Sequence, residues 1–355
     1  MKRFTSIVSA AFAVVIAAAY TIAIPVQPVS AQSSAALSIA PKKNYVIEPG
    51  KSVKDKLTIR NLDNSSPLQL TLRVVDFTFT DDGGTPKLFL AEDAPQTTWS
   101  LKPFMTVPKS VTIPKNGSKT LDMSVAIPAG HGAGSYYSAI IYSTGAPDGG
   151  NVGLAASGVT LVFTNIPGKV NEDLKLEKFG AYREATANNP ASYLFLTTDE
   201  PQKIAYTLKN SGNVTEAPAG SITLNGWFGS PITINNVNPN GSLALIGQSR
   251  TYTACIKLKD AEVDFNGQKT KSTACDSPGL FPGYYSAKLD LFYGQNGNRT
   301  QEIIGSAGFW YLPWWFIILV IVVLAILAFV IWRVYGWVRV KLYGPQYKKR
   351  SSRRR

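Results

Sequence analysis

Nineteen consecutive residues, Trp314 to Trp332, carry no charge and are mostly Ile, Leu, Val, Ala and Phe. A helix of that length rises about 30 Å, the thickness of a bilayer's hydrocarbon core. Aromatic rings stand at both ends: Trp310, Tyr311, Trp314 and Trp315 before the run, and Trp332, Tyr335, Trp337 and Tyr343 around and after its close. Such rings settle at headgroup level as membrane-interface anchors. A buried core helix needs no ring cluster at either end, so residues 310–335 read as a transmembrane helix. Whatever precedes it must fold on one side of a membrane.

Charge says which side. Residues 333–355 hold nine Lys or Arg and no acid, ending in Lys348-Lys349-Arg350 and Arg353-Arg354-Arg355. Positive flanks stay cytoplasmic and attract anionic lipid, which makes 336–355 a cytoplasmic tail. The N-terminus agrees. Lys2 and Arg3 precede an apolar stretch from Ile7 to Val26, and Val29-Ser30-Ala31 offers the small residues of a cleavage site. The pattern predicts a signal peptide over 1–31. Pro25 and Pro28, next to that exit, argue against an uncleaved first span. The chain's formal charge is +13; the tail supplies nine and Lys2 with Arg3 two, which leaves +2 for residues 32–332. The basic balance therefore reports topology, and no nucleic-acid partner is expected. The expected location is the cell membrane, single-pass, with the ectodomain outside.

Between the ends, strand periodicity dominates. Leu121, Met123, Val125 and Ile127 alternate with polar residues; so do Ile204, Tyr206 and Leu208, and Tyr252, Ala254, Ile256 and Leu258. Period two with one apolar face marks a half-buried antiparallel strand. Leu68, Leu70, Leu72 and Val74 alternate as well, but the phase then slips to Val75, Phe77 and Phe79. Such a slip predicts a bulge or a strand that changes sheets, before a turn at Asp81-Asp82-Gly83-Gly84. Short strands broken by frequent turns predict an all-β ectodomain of two tandem Ig-like β-sandwich domains, over 32–166 and 167–309.

The halves read as divergent copies. An early strand ends in Asn in each, Leu57-Thr58-Ile59-Arg60-Asn61 and Tyr206-Thr207-Leu208-Lys209-Asn210. A late strand carries Tyr-Tyr-Ser-Ala in each, from Tyr136 and from Tyr284. Cys255 and Cys275 lie outside the membrane, where thiols pair. With Phe265-Asn266-Gly267 as a hairpin tip between them, a disulfide would clamp the hairpin's base.

Residues that could carry chemistry are sparse. The one histidine, His131, sits among glycines with no nucleophile or orienting acid suggested beside it. Two cysteines without a nearby His cannot complete a zinc shell. Asp76, Asp81 and Asp82 match no calcium loop and read as turn residues. The chain is expected to be no enzyme, without cofactor, metal or catalytic residues. Trp99 and Trp227 are each open to two readings: a ring that stacks on a sugar or anchors a partner, or a buried ring of a sandwich core. Phe228, with Gly229 and Pro231 following, makes 227–231 the better candidate for an exposed apolar loop.

The first half also carries a pattern: Glu48-Pro49-Gly50, a strand ending Arg60-Asn61, Asp81-Asp82-Gly83, Trp99, Pro114, a strand ending Ile127-Pro128, and Gly134-Ser135-Tyr136. It resembles the peptidoglycan-binding domain of WxL-interacting proteins of Gram-positive surfaces, and the whole layout is similar to theirs. The resemblance covers 36–165 in motif. It implies that the first sandwich binds peptidoglycan and the second holds WxL-domain proteins. The cysteine pair is not a feature of that family. The expected partners are thus the lipid bilayer and cell-wall glycan, other surface proteins, or both, and the expected role is a membrane-anchored binding or scaffold protein. An assembly chaperone for surface subunits and a wall hydrolase are the alternatives.

Overall fold

The computed structural model describes residues 37–79, 85–91, 93–144, 156–265, 268–294 and 299–344. The expected signal peptide, the turn expected at 81–84, the hairpin tip expected at 266–267 and the chain from 345 onward lie outside the described residues.

The first domain contains β1 (Leu37–Ser38), β2 (Lys42–Val46), β3 (Ser52–Asn61), β4 (Leu68–Val75), β5 (Phe77–Phe79), β6 (Pro86–Leu88), β7 (Met105–Thr106), β8 (Ser110–Ile113), β9 (Ser118–Ala126), β10 (Gly134–Thr144) and β11 (Ala156–Ile166). Nine of them form two facing sheets, β1-β3-β9-β7 and β2-β11-β10-β4-β8, and β5 and β6 pair as a separate hairpin. The chain starts in one sheet, antiparallel to β3, and crosses to the other, where β2 runs parallel to β11. Alternation fills the space between: Leu57 and Ile59 of β3, Met123 and Val125 of β9, and Ile140 and Tyr142 of β10 are buried in one cluster.

The second domain contains β12 (Leu174–Arg183), β13 (Ser192–Leu194), β14 (Leu196–Thr197), β15 (Lys203–Asn210), β16 (Ala219–Gly226), β17 (Ile232–Asn235), β18 (Ser249–Cys255), β19 (Leu258–Phe265), β20 (Gln268–Cys275), β21 (Gly283–Tyr293) and β22 (Gln301–Tyr311). Its sheets are β13-β12-β15-β18 and β14-β22-β21-β16-β17. The plan of the first domain recurs, including a short strand, β14, parallel to the last one. Two things are added: β13 flanks β12, and the β19–β20 hairpin is inserted between β18 and β21.

The asparagines that end β3 and β15 are equivalent. Asn61 donates to Ser66 O and Pro114 O and accepts from Asp63 N. Asn210 donates to Val214 O and Ala244 O and accepts from Gly212 N. Both are wholly buried, and each satisfies backbone groups of the turn after its strand. The Tyr-Tyr-Ser-Ala match is different. It falls on corresponding strands, but Tyr285 and Ala287 face the core of their sandwich whereas Tyr137 and Ala139 face away from theirs. One residue of register separates the two copies, and one residue exchanges the faces of a strand.

The last strand continues through Tyr311, because Trp310 and Tyr311 still pair with Tyr284 and Gly283 of β21. A domain end at 309 therefore falls inside a strand, and these two anchors belong to the sandwich. After Leu312 and Pro313 comes α1 (Trp314–Tyr343), which continues through Gly336 to Gly344 and so extends past 335, carrying Arg333, Arg339 and Lys341 on the helix. It is long and apolar enough to cross a membrane, and none of its apolar span is buried against the rest of the protein.

Cys255 and Cys275 form the disulfide, their Cα atoms 5.2 Å apart. Cys255 ends β18 and Cys275 ends β20, so the bond ties the hairpin's base to the sheet edge. Leu258, which would continue the alternation of β18, instead opens the hairpin and is exposed. Removing the bond by Cys255→Ser with Cys275→Ser is expected to loosen this hairpin alone. In the chain-entropy model the closed loop is worth roughly 3 kcal/mol, so amide exchange over 258–275 should speed up by about 100-fold. An equal acceleration through both sandwiches would contradict this local role.

Candidate functional site

β10 is buried on both faces. One faces the first domain's core; from the other, Tyr137, Ala139 and Ile141 pack with Val75, Phe77 and Phe163 against Leu245 of the second domain, with Leu243 and Ile246 beside it. The phase slip after Val74 is explained here. The chain breaks at Asp76, leaves the sheet as β5, and turns Val75 and Phe77 toward the second sandwich. Asp76 is no exposed turn residue. It is buried and accepts from Thr97 N and Oγ1, Ser100 Oγ and Ser138 Oγ, tying the loop before Leu101 to β10.

That loop holds Trp99 in the junction. Its ring stacks on Tyr137, centroids 6.1 Å apart, and Gly247 of the second domain passes beside it. The structure thus gives Trp99 a packing role between the sandwiches and not a ligand-facing one. Polar contacts close the junction's rim. Ser135 N donates to Asn213 O at 2.9 Å, Asn213 Nδ2 to Ala133 O, and Thr215 N to Ser135 Oγ. The backbones meet because glycine stands at 134, where φ is +144° and a Cβ would lie 2.6 Å from Asn213 O. Arg250 reaches back across the joint, its guanidinium 4.9 Å from the centre of the Phe79 ring.

Two grooves border this junction and draw walls from both domains. The larger, about 1170 Å³, lies between β5–β6 and the β13-β12-β15-β18 sheet. Its lining is rich in hydroxyls and rings: Thr78, Tyr182, Ser192, Tyr193, Ser249 and Thr251. Tyr193 Oη, Thr207 Oγ1 and Thr251 Oγ1 form a relay of 2.7 and 2.8 Å. Burial pushes the Tyr193 phenol up to about 12, so it remains neutral at ordinary pH. The smaller groove, about 400 Å³, runs along β2 and contains Lys42, Phe163, Glu216 and Arg299. Lys42 Nζ lies 4.9 Å from the centre of the Phe163 ring. Glu216 Oε2 accepts from Gly294 N, while Oε1 is buried without a partner among the described residues. Burial first, then repulsion from Glu172, raises this carboxyl to about 7.

The remaining candidates lie elsewhere. His131 is half-buried with its ring edge-on between Phe104 and Tyr136, which is a packing position. Trp227 and Phe228 are exposed, but at the far end of the second domain, beside Trp310 and next to the start of α1. Sequence periodicity could not find the junction itself, since its residues come from the outward faces of strands whose inward faces already satisfy the pattern.

No protein-family model matches the sequence, and no curated protein matches it. Among solved structures, the class 5 fimbriae chaperone CfaA is similar at 12% identity, covering 76% of this chain and 98% of that one, with a TM-score of 0.34. The E. coli chaperone DraB is similar at 12% identity over 76% and 98%, with a TM-score of 0.32. A chain of the Salmonella enterica SafA pilin–SafB chaperone complex is similar at 9% identity over 76% and 96%, with a TM-score of 0.31. At these scores no property of those proteins transfers to this chain.

Two outcomes follow from the junction. Gly134→Ala places a Cβ against Asn213 O in a conformation that favours glycine, a strain of about 1–3 kcal/mol. It should part the domains and raise the radius of gyration measured by small-angle scattering. Glu216 holds a proton in the folded state between pH 4.5 and about 7 that it loses on unfolding. Stability should therefore be highest below that window and fall by on the order of 3 kcal/mol as pH rises through it. Glu216→Gln should abolish this fall in denaturant titrations at pH 5 and pH 8.

Proposed function

We propose that this protein is a non-enzymatic binding and scaffold module of the cell surface, held at the membrane by α1 and engaging wall glycan or another surface protein through the larger groove between its sandwiches. One observation carries the reading: both walls of that groove belong to a single locked body. The junction buries Tyr137, Phe77 and Leu245 and is sealed by hydrogen bonds between the domains, so the groove keeps its shape without a ligand. A preformed site loses little freedom on binding.

The lining favours a hydroxyl- and amide-rich ligand. Threonine and serine hydroxyls and the Gln248 side chain supply donors and acceptors, Lys87, Glu177 and Lys178 add charges of both signs, and the half-buried Tyr193 supplies a ring against which a sugar can rest. The resemblance of residues 36–165 to a peptidoglycan-binding domain points the same way. The membrane part of the reading rests on α1. A helix of thirty residues whose apolar side chains face outward on every side is unstable in water and at home in lipid. The basic residues at and beyond its C-terminal end support a cytoplasmic tail with the sandwiches outside.

The test is co-sedimentation with isolated cell wall. A soluble fragment should end at 312 so that β22 stays whole. It is expected to pellet with wall polymer and release no fragments of it. Tyr193→Ala should weaken the association about tenfold, the loss of one well-placed ring and hydroxyl. A fragment that stays in the supernatant and retains no surface protein from an envelope extract would end the proposal. A stable one-to-one complex with an unfolded surface subunit would favour the assembly-chaperone reading.

A further inference from the structure

The end of the second sandwich that adjoins α1 exposes a set of large apolar side chains. Phe195, Leu196, Trp227, Phe228 and Phe281 are each between 57% and 71% exposed. They come from three separate loops, and the sheet brings them together. Leu196 pairs with Trp310, and Trp310 N donates to Phe195 O. Trp227 N donates to Tyr284 O, and the Trp227 ring meets the Trp310 ring edge-on at 5.0 Å. Phe281 precedes Gly283, the partner of Tyr311, and approaches the Phe228–Gly229 turn. Two acids border this set: Glu200 is tied to the Leu280 amide and the Ser277 hydroxyl, and Asp199 is exposed near Tyr311.

We propose that this collar of Phe195, Leu196, Trp227, Phe228 and Phe281 docks into the lipid headgroup region of the membrane that α1 enters. The inference rests on the membrane reading of α1. What identifies lipid as the occupant is continuity. Only Leu312 and Pro313 separate β22 from α1, Leu312 N is bound to Thr197 O, and Pro313 O accepts from Phe316 N. No free linker lifts the sandwich away, so a headgroup layer that holds Trp314 and Trp315 also reaches the collar. Aromatic rings with scattered apolar side chains are what such a layer accepts. The collar would hold the ectodomain upright, with the groove beginning at Ser192 and Tyr193, just before Phe195, and running from there toward the first sandwich.

The experiment uses the full chain labelled with fluorotryptophan in phosphatidylcholine–phosphatidylglycerol nanodiscs, with and without lipid carrying a nitroxide near the headgroup. The resonances of Trp99, Trp227 and Trp314 are assigned by single Trp→Phe substitutions. The expected result is that Trp227 broadens at least half as much as Trp314, while Trp99, in the junction, keeps its width. Broadening of Trp314 alone would overturn the collar, leave the membrane helix standing, and free Trp227 as a ring for a sugar or protein partner. Broadening of neither would overturn the collar and the membrane reading together.

Discussion

Burial of β10 on both faces is the constraint on which the arrangement of the molecule depends. Its inward residues, Ile140 and Tyr142, fill the first sandwich, and its outward residues, Tyr137, Ala139 and Ile141, are covered by the second. A strand covered on both sides reads as a nearly continuous apolar run, as Tyr136 to Tyr142 does. Neither face tolerates water, so the first domain is complete only with the second in place. The alternative would leave Phe77, Tyr137 and Phe163 as one exposed aromatic patch, the kind of surface that drives aggregation. The hydrogen bonds of Ser135, Asn213 and Thr215 add direction to this attraction, fixing the angle at which the covered face meets its cover.

The consequence for function is geometric. A groove between two domains is a binding site only when the domains hold still. Here the floor of both grooves is the junction cluster itself, with Phe79 at one and Phe163 with Leu243 at the other. The buried Glu216 carboxyl sits at the second groove with one oxygen unpartnered.

Much of the fold was legible because it is local. Alternation located β9, β15 and β18, the terminal asparagines of β3 and β15 marked a turn that both copies build in the same way, and paired exported cysteines marked the hairpin base. The rest failed for one reason: its meaning depends on which faces and ends lie together in space. The slip at Val75 was visible, but that it served a second domain was not. Trp99 and Trp227 looked alike in sequence, each a lone indole in a turn-rich stretch. Sheet topology sent one into the junction and the other to the base. The repeated Tyr-Tyr-Ser-Ala carried the opposite lesson, since four identical residues on corresponding strands proved one residue out of phase.

That phase difference has a physical reading. In β21 the outward face bears Ser286, Lys288 and Asp290, residues suited to water, between Tyr284, which joins an aromatic cluster, and the exposed Phe292 at the other end. In β10 the outward face is apolar along its middle. Two strands built on one plan have thus taken different neighbours by shifting a single residue, one gaining a protein cover and the other an open sheet with a ring cluster at one end. The rings of β21 gather where the chain turns into α1, and the apolar face of β10 gathers where the second domain begins. Each sandwich therefore has its outward apolar surface at the end nearer α1, the first meeting the second domain there and the second meeting the start of the helix. A chain assembled in this way stacks in one order, helix, second sandwich, first sandwich, and the polar groove walls between the sandwiches are the surfaces that this stacking leaves for a ligand.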